Sequence, residues 1–441
     1  MRERAGPTST RRVLIVSYFF PPDGGPGTQR TAKFCKHLIE FGWSPIVITR
    51  TPRKSRGRWE PEDATLLGDV GENTRVLRVA DPDDPSTPWL DAARDAALAA
   101  VEAHRPDVAL ITMSPFELTR VGDAILERTD IPVVYDLRDP WALDGWRLYA
   151  TRRQWVADLR RMREALASAS GVVANTPESK RAFLAEVPGL ADERVTVINN
   201  GFDPEDFDLS MGPLESDRLW IVHTGTLHSR TLYEYQGLKG RLKRLRHFRP
   251  EPIDTSGRTP LHLLRALRWL RETSHPLADR FRVALVGLKD PETERCVRES
   301  GVAEMVRIEG YLSHRESVAW LRRAHALFLP LHGFPPGEDT RRSLIVPGKV
   351  YEYLAARRPI LACLPPGDAR EIVEESGNAF IADPVDARSI ADALVALAED
   401  VERRGIEREL PPTLLRYERG RLTEKLAQFL TRIAERPARV S

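Results

Sequence analysis

The chain is short of the features that mark several common classes. Its 441 residues include only 3 cysteines, Cys35, Cys296 and Cys363, far apart and with no ligand-spaced pair. That excludes a disulfide framework and a zinc ribbon, and reads as reduced thiols in a cytosolic protein. Charge of one sign is also scarce: 66 basic residues against 64 acidic ones leave a formal net charge of +2. Bulk electrostatics therefore give no reason to expect a nucleic-acid partner, which needs a strong basic field. Long apolar runs are missing too. The early one at 13–20 is cut by Pro21 and Pro22; it is too short to span a membrane and lacks a small-residue cleavage site. Neither a signal peptide nor a transmembrane helix is expected. No H-x-x-x-H or mixed carboxylate cluster has metal-ligand spacing, and the G-x-S-x-G elbow and the P-loop pattern are both absent. No bound metal, no serine nucleophile and no cofactor are expected.

What is present belongs to a globular protein, 41% hydrophobic and 29% charged. The length exceeds what one core usually supports, so two domains are expected. Short β-branched runs at 13–17, 45–49, 76–79, 107–112, 133–136, 171–174 and 195–198 read as strands, with helical patterns between them such as 29–41 and 91–104. An acidic, loop-like stretch at 203–217 reads as a linker. Strand character returns at 219–222, 282–286, 306–309, 326–331, 360–364 and 379–382, and an amphipathic helix at about 416–435 closes the chain. This alternation indicates doubly wound α/β domains. The expected division is 1–205, then 206–410 with a basic insertion at about 231–258, then a closing helix in 411–441. The insertion carries Lys239, Arg241, Lys243, Arg244, Arg246 and Arg249.

The marked residues follow strands, the edge where open parallel sheets bind ligands. After the first strand comes Asp23-Gly24-Gly25-Pro26-Gly27. It is not the G-x-G-x-x-G fingerprint, yet its glycines allow a ligand phosphate to approach the backbone ahead of a helix; a plain tight turn is the alternative. Arg138 and Asp139, at another strand end, could orient a sugar hydroxyl or simply bridge each other. Arg230 follows the Gly225-Thr226 turn and could hold a diphosphate as a planar donor fork. The stretch 346–354, Val-Pro-Gly-Lys-Val-Tyr-Glu-Tyr-Leu, puts Lys349 and Glu352 on one face of a helix start behind Gly348. There the lysine and free N–H groups could face a phosphate while Glu352 accepts from hydroxyls, or the two could form a surface ion pair. Aromatics interleaved with arginines at 141–163, Trp141 and Trp146 among them, and the basic insertion offer surfaces for an anionic or lipid-linked acceptor; solvated helix faces are the alternative. His223, His325 and His332 read as satisfied structural histidines.

Taken together these segments resemble the glycosyltransferases of the GT-B architecture, two Rossmann-like doubly wound domains facing across a cleft, and specifically the retaining nucleotide-sugar transferases of family four. The resemblance rests on Phe19-Phe20-Pro21-Pro22-Asp23-Gly24-Gly25 and on Asp136-Leu137-Arg138-Asp139-Pro140-Trp141, similar to the Asp-x-Arg-Asp-Pro-Trp segment of a bacterial subgroup. It rests also on Asn199-Asn200-Gly201-Phe202-Asp203 and on Pro347-Gly348-Lys349 through Pro359-Ile360-Leu361. The likeness implies a nucleoside-diphosphate sugar as donor, a saccharide or lipid-linked acceptor and no metal; a cytoplasmic location is expected, with peripheral contact at the inner face of the membrane as an option that the basic and aromatic segments offer. It implies that Gly24, Gly25, Gly225, Arg230, Gly348, Lys349 and Glu352 bind the donor. Arg138, Asp139, Arg230 and Lys349 would serve catalysis, and Asp23, Trp141 and Trp146 would meet the acceptor. Glu352 corresponds to the second glutamate of the family's E-x7-E motif. The first would fall at Leu344, leaving Glu338 or Asp339 to supply a carboxylate. Two other readings are a nucleotide-sugar epimerase or hydrolase of the same fold, and a degenerate nucleotide-binding scaffold.

Overall fold

The computed structural model describes residues 10–52, 62–80, 89–208, 212, 214, 217–233, 247–338 and 341–435. The chain forms two compact units. The first is Met1–Trp141, Asp158–Gly201 and Tyr417–Ser441; the second is Ala142–Ala157 and Phe202–Arg416.

The first unit is built on a 7-stranded sheet: β1 (Arg11–Ser17), β2 (Trp43–Arg50), β3 (Arg75–Val79), β4 (Val108–Met113), β5 (Val133–Leu137), β6 (Gly171–Ala174) and β7 (Val195–Val197), ordered β3-β2-β1-β4-β5-β6-β7. All its pairs are parallel. Val13, Leu14, Ile15 and Val16 of β1 have no exposed surface, as a strand covered on both faces requires; that is why it reads as an unbroken apolar run. The order reverses between β1 and β4, so the loops after those two strands part and leave a crevice at the carboxyl edge. The helix Pro26–Leu38 starts behind Gly25 at φ 97° with proline in its first turn, a backbone that favours glycine followed by a residue whose missing N–H costs nothing there.

The closing helix Arg419–Ala434 completes this core. Its buried Leu422, Leu426, Phe429, Leu430 and Ile433 join Val13, Ile15, Val134 and Val173, each such side chain contributing about 1.5–3 kcal/mol by burial. Glycines make the room. A Cβ on Gly171 would lie 2.8 Å from Phe429 Cζ, and one on Gly201 would lie 2.3 Å from the Tyr417 carbonyl.

The second unit has a 6-stranded parallel sheet: β8 (Leu219–Thr224), β9 (Phe281–Val286), β10 (Val306–Glu309), β11 (Ala326–Pro330), β12 (Ile360–Cys363) and β13 (Ala379–Ala382), ordered β10-β9-β8-β11-β12-β13. Its order reverses between β8 and β11. One core packs the helices Leu261–Glu272 and Ala387–Arg404 against this sheet through residues such as Leu267, Leu394, Ile221 and Phe328. Residues 142–157, expected with the first domain, belong to the second unit because their partners are there. Tyr149 and Phe248 exchange both backbone hydrogen bonds, at 2.9 and 2.7 Å, and the Trp155 ring lies 5.1 Å from Phe248. No helix among the described residues is long and apolar enough to cross a membrane.

Candidate functional site

In the second unit, the carboxyl edge at the β8/β11 reversal gathers several chain segments. β8 ends at Thr224, and Gly225 takes φ 112° and donates its N–H to the Val286 carbonyl at 2.7 Å. A Cβ on Gly287 would land 2.1 Å from the Gly225 oxygen, and one on Gly225 would stand 3.0 Å from Lys349 Cε. Two glycines thus let the ends of β8 and β9 close on the start of the helix Lys349–Ala356. Tyr353, fully buried in that helix, accepts the Thr224 N–H at 3.1 Å. Lys349 Nζ donates to Glu352 Oε2 at 2.7 Å, and Glu352 keeps only 7% of its surface exposed. The pair is therefore partly buried, with the lysine the more open of the two.

Two histidines complete this edge, and both depart from the expectation of satisfied structural roles. A carbonyl can only accept, so the 3.0 Å contact between His223 Nδ1 and the Phe328 oxygen puts the proton on Nδ1. Nε2 then carries a lone pair, buried and without a partner among the described residues. Burial pushes the His223 pKa down to about 4, and the positive charges of Lys349 and Arg258 act in the same direction. His332, just after β11, is the mirror case. An indole N–H can only donate, and Trp146 Nε1 does so to His332 Nδ1 at 3.1 Å. His332 must carry its proton on Nε2, which is again buried and unpartnered among the described residues. Burial, then Arg258 and Arg249, push its pKa down to about 3. His325 is structural, accepting the Trp220 N–H at 3.3 Å.

Arg258 is the residue that sequence reasoning missed. It is felt by both imidazoles, and its guanidinium lies 5.3 Å from the Trp146 ring centroid, a ring that also approaches His228 at 4.8 Å. Backbone pairing places it. Asp254 and Gly333 exchange hydrogen bonds at 2.8 and 2.9 Å, and a Cβ on Gly257 would lie 2.5 Å from the Leu331 oxygen. Arg230, by contrast, is exposed at the start of the short helix Arg230–Tyr233, and its side chain makes no hydrogen bond or ion pair among the described residues.

The structure therefore brings Gly225, Gly348, Lys349 and Glu352 together, with Tyr353 of the same helix reaching Thr224 and His223, while Arg258 lies over the Trp146 ring that bonds His332. Glu338 is ion-paired with Arg341, which also approaches Glu251 at 3.4 Å. Asp339 and the insertion residues Lys239, Arg241, Lys243, Arg244 and Arg246 lie outside the described residues.

The first unit carries its own marked edge. Asp23 is buried and ion-paired with Arg50 at 2.7 Å. Gly24 accepts from the Thr28 hydroxyl and Gly25 from the Gln29 N–H, closing the helix start. Arg138 packs against Gly27, lies over the Phe19 ring at 5.4 Å and stands 3.4 Å from Asp139. Trp141 has no exposed surface: it stacks on Phe116 at 5.0 Å and donates its indole N–H to Asp158 at 3.1 Å. The aromatic signal at that position comes from core packing, which leaves no face for an acceptor. A pocket of about 380 Å³ opens after β1 and β4, lined by residues that include Tyr18, Phe19, Trp89, Ser114 and Arg120. Trp89 bore no marked motif, and only the sheet order brings it beside the β1 loop.

Comparison with known proteins agrees with this layout. Residues 27–206 match the family model described as Glycosyltransferase Family 4, and residues 256–400 match that of Glycosyl transferases group 1. Among curated proteins, none matches the sequence. Among solved structures, sucrose-phosphate synthase from Thermosynechococcus elongatus superposes with a TM-score of 0.62 at 16% identity, covering 96% of each chain. HepE from Anabaena, solved with UDP-glucose, gives 0.55 at 17% identity over 96% of this chain and 98% of that one. UDP-GlcNAc 2-epimerase from Neisseria meningitidis, bound to UDP-GlcNAc, gives 0.55 at 13% identity over 96% and 100%. The chain therefore has the two-domain GT-B fold, and each of two glycosyltransferase family models matches one part of it.

Proposed function

We propose that the protein is a retaining, metal-independent glycosyltransferase that takes a sugar from a nucleoside-diphosphate donor to a saccharide, glycolipid or small-molecule acceptor. The observation that carries this reading is the convergence of Gly225, Lys349 and Glu352 at the carboxyl edge of the second sheet, where the loop after Gly225 is tied to Arg258 by the His228 N–H donating to the Arg258 carbonyl. A nucleotide sugar offers two chemistries to such an edge. Its diphosphate is anionic and suits the lysine, the arginine and the backbone that glycine leaves open. Its ribose is a hydroxyl donor and suits the buried carboxylate of Glu352.

In the transfer, the bond between the anomeric carbon and the diphosphate breaks, a bond to an acceptor oxygen forms, and the acceptor's proton passes to the departing diphosphate. Negative charge grows on that diphosphate in the transition state. Cations already in place lower the barrier because they need no reorganisation at the moment of reaction. Lys349 and Arg258 are given that role, with Arg258 taking the part the sequence assigned to Arg230. We assign the acceptor to the edge of the first sheet, where an open cavity of about 380 Å³ beside Tyr18 and Trp89 is mostly apolar and carries Arg120 in its lining. Arg138 and Asp139 stand at the same edge.

The test is release of nucleoside diphosphate from a panel of uridine, guanosine and adenosine diphosphate sugars, with acceptors extracted from cells. Acceptor-dependent release that fails in Lys349→Ala supports the transferase. Consumption of the nucleotide sugar without any acceptor would instead assign an epimerase or hydrolase. Binding without turnover of any donor would assign a scaffold.

A further inference from the structure

We infer that His332 is a ligand-contacting residue: its Nε2–H, fixed in place by Trp146, donates a hydrogen bond to an oxygen of the nucleotide sugar. This rests on the donor site proposed above and goes beyond the residues assigned to it.

Tautomer and burial carry the argument. Because the indole N–H of Trp146 can only donate, its 3.1 Å bond to Nδ1 leaves the imidazole proton on Nε2. That N–H is out of contact with solvent and has no acceptor among the described residues, although the side chain keeps only 2% exposure. An unsatisfied buried donor is costly, and native structures keep few of them. The location supplies a reason for this one. His332 follows β11 at the reversal of the second sheet, and Arg258 and Arg249 are the charges it feels most. Arg258 lies over the Trp146 ring that bonds His332, and Arg249 donates to the Gly145 carbonyl next to it, so a neutral N–H in this basic neighbourhood suits an oxygen acceptor, above all an anionic one. The positive surroundings and burial together keep the ring neutral, so it offers a donor of fixed geometry rather than a titrating charge.

Trp146 gives the arrangement a second part. It comes from the 142–157 segment that joins the second unit through Tyr149 and Phe248. Its ring touches His332, His228 and Arg258 together, at 6.0, 4.8 and 5.3 Å between centres. Trp146 is thus a positioning residue: it holds the tautomer without needing to touch the ligand.

The experiment uses the full chain and direct titration with a nucleoside diphosphate and with its sugar derivative. His332→Phe keeps an aromatic ring of similar size and removes the donor; it is expected to weaken binding about 10-fold or more, the usual weight of a hydrogen bond to a charged group. His332→Gln, which restores an N–H near the position of Nε2, is expected to recover most of the loss, and a purely structural role would not produce that rescue. A loss already seen with the diphosphate places the acceptor oxygen there; a loss seen only with the sugar derivative places it on the sugar. In histidine-labelled protein, the free chain should show His332 as the Nε2–H tautomer by nitrogen NMR, with that resonance moving when nucleotide is added, and Trp146→Phe should mix the tautomers. Wild-type protein that binds no nucleotide would overturn the function proposed above before any variant is made. Wild-type binding with His332→Phe within about 2-fold of it, or an Nδ1–H tautomer in the free chain, would overturn this inference alone.

Discussion

Asp136→Ala should destabilise the first unit severely, and the size of the effect follows from what the carboxylate holds. Asp136 has no exposed surface, and its partner Arg30 keeps only 5%. Arg30 uses its whole donor fork: Nε and Nη2 reach Asp136 at 3.0 and 2.7 Å, Nη2 also reaches the Ile198 oxygen at 2.9 Å, and Nη1 reaches the Asn199 oxygen and Asn200 Oδ1 at 3.2 and 3.1 Å. One ion pair thereby joins the helix Pro26–Leu38, β5 and the turn after β7. Removing the carboxylate strands a guanidinium in the interior, a change that costs about 3–5 kcal/mol where a buried pair is broken on one side. Replacing both partners with apolar residues, Arg30→Met with Asp136→Leu, should cost less than the single change, because no charge is left unpaired, although the Ile198 and Asn199 carbonyls and Asn200 Oδ1 lose their donor. Urea denaturation followed by hydrogen exchange at the β5 amides would measure both. A loss below about 1 kcal/mol for Asp136→Ala, or a double variant as damaged as the single, would refute the reasoning.

Other expectations follow from the second unit. Gly287→Ala drives a methyl group against the Gly225 carbonyl; nucleotide affinity should drop while the helix content measured by circular dichroism stays near that of wild type. Unfolded His223 and His332 titrate near the ordinary value of about 6.5, whereas in the fold they are held down to about 4 and about 3, chiefly by burial. Between those values the unfolded chain binds protons that the fold does not. The stability is therefore full above pH ~6.5 and is lost as pH falls toward the folded values. Thermal melts from pH 7 to 5 should show a falling Tm, with a shallower fall in a His223→Phe, His332→Phe double variant; equal slopes would contradict it. Turnover should survive exhaustive EDTA treatment, because Lys349 and Arg258 supply the positive charge on the departing diphosphate. Activity abolished by EDTA and restored by a divalent ion would reject that assignment.

Much of the fold was legible because parallel strands covered on both faces are written as unbroken apolar runs, as β1 and β12 show. Three helices, Thr119–Arg128, Pro177–Glu186 and Pro291–Arg298, were passed over. Two of them carried usable signals: Thr176-Pro177-Glu178 and Asp290-Pro291-Glu292 each set a capping side chain before a first-turn proline. The candidate site was legible in part. Lys349 and Glu352 stand out because a turn, a helix start and paired charges coincide within a few residues. Arg258 does not, since it reaches the site through the pairing of Asp254 with Gly333, on the far side of the basic insertion from Gly225. Nor do the histidine tautomers, which depend on the Phe328 carbonyl and the Trp146 indole, partners far away in the chain. Trp141 misled in the opposite direction: among arginines it reads as a surface aromatic, while its ring is stacked in the core.

The central claim is that the carboxyl edge of the second sheet binds a nucleoside-diphosphate sugar, and calorimetric titration of wild type, Lys349→Ala and Arg258→Ala with such sugars tests it most directly. Saturable binding of at least one of them to wild type is expected, with a loss of roughly 10- to 100-fold in each variant, the weight of one charge-assisted contact to a phosphate. Unchanged affinity in both variants, or no binding of any nucleotide sugar to the folded wild-type chain, would contradict it.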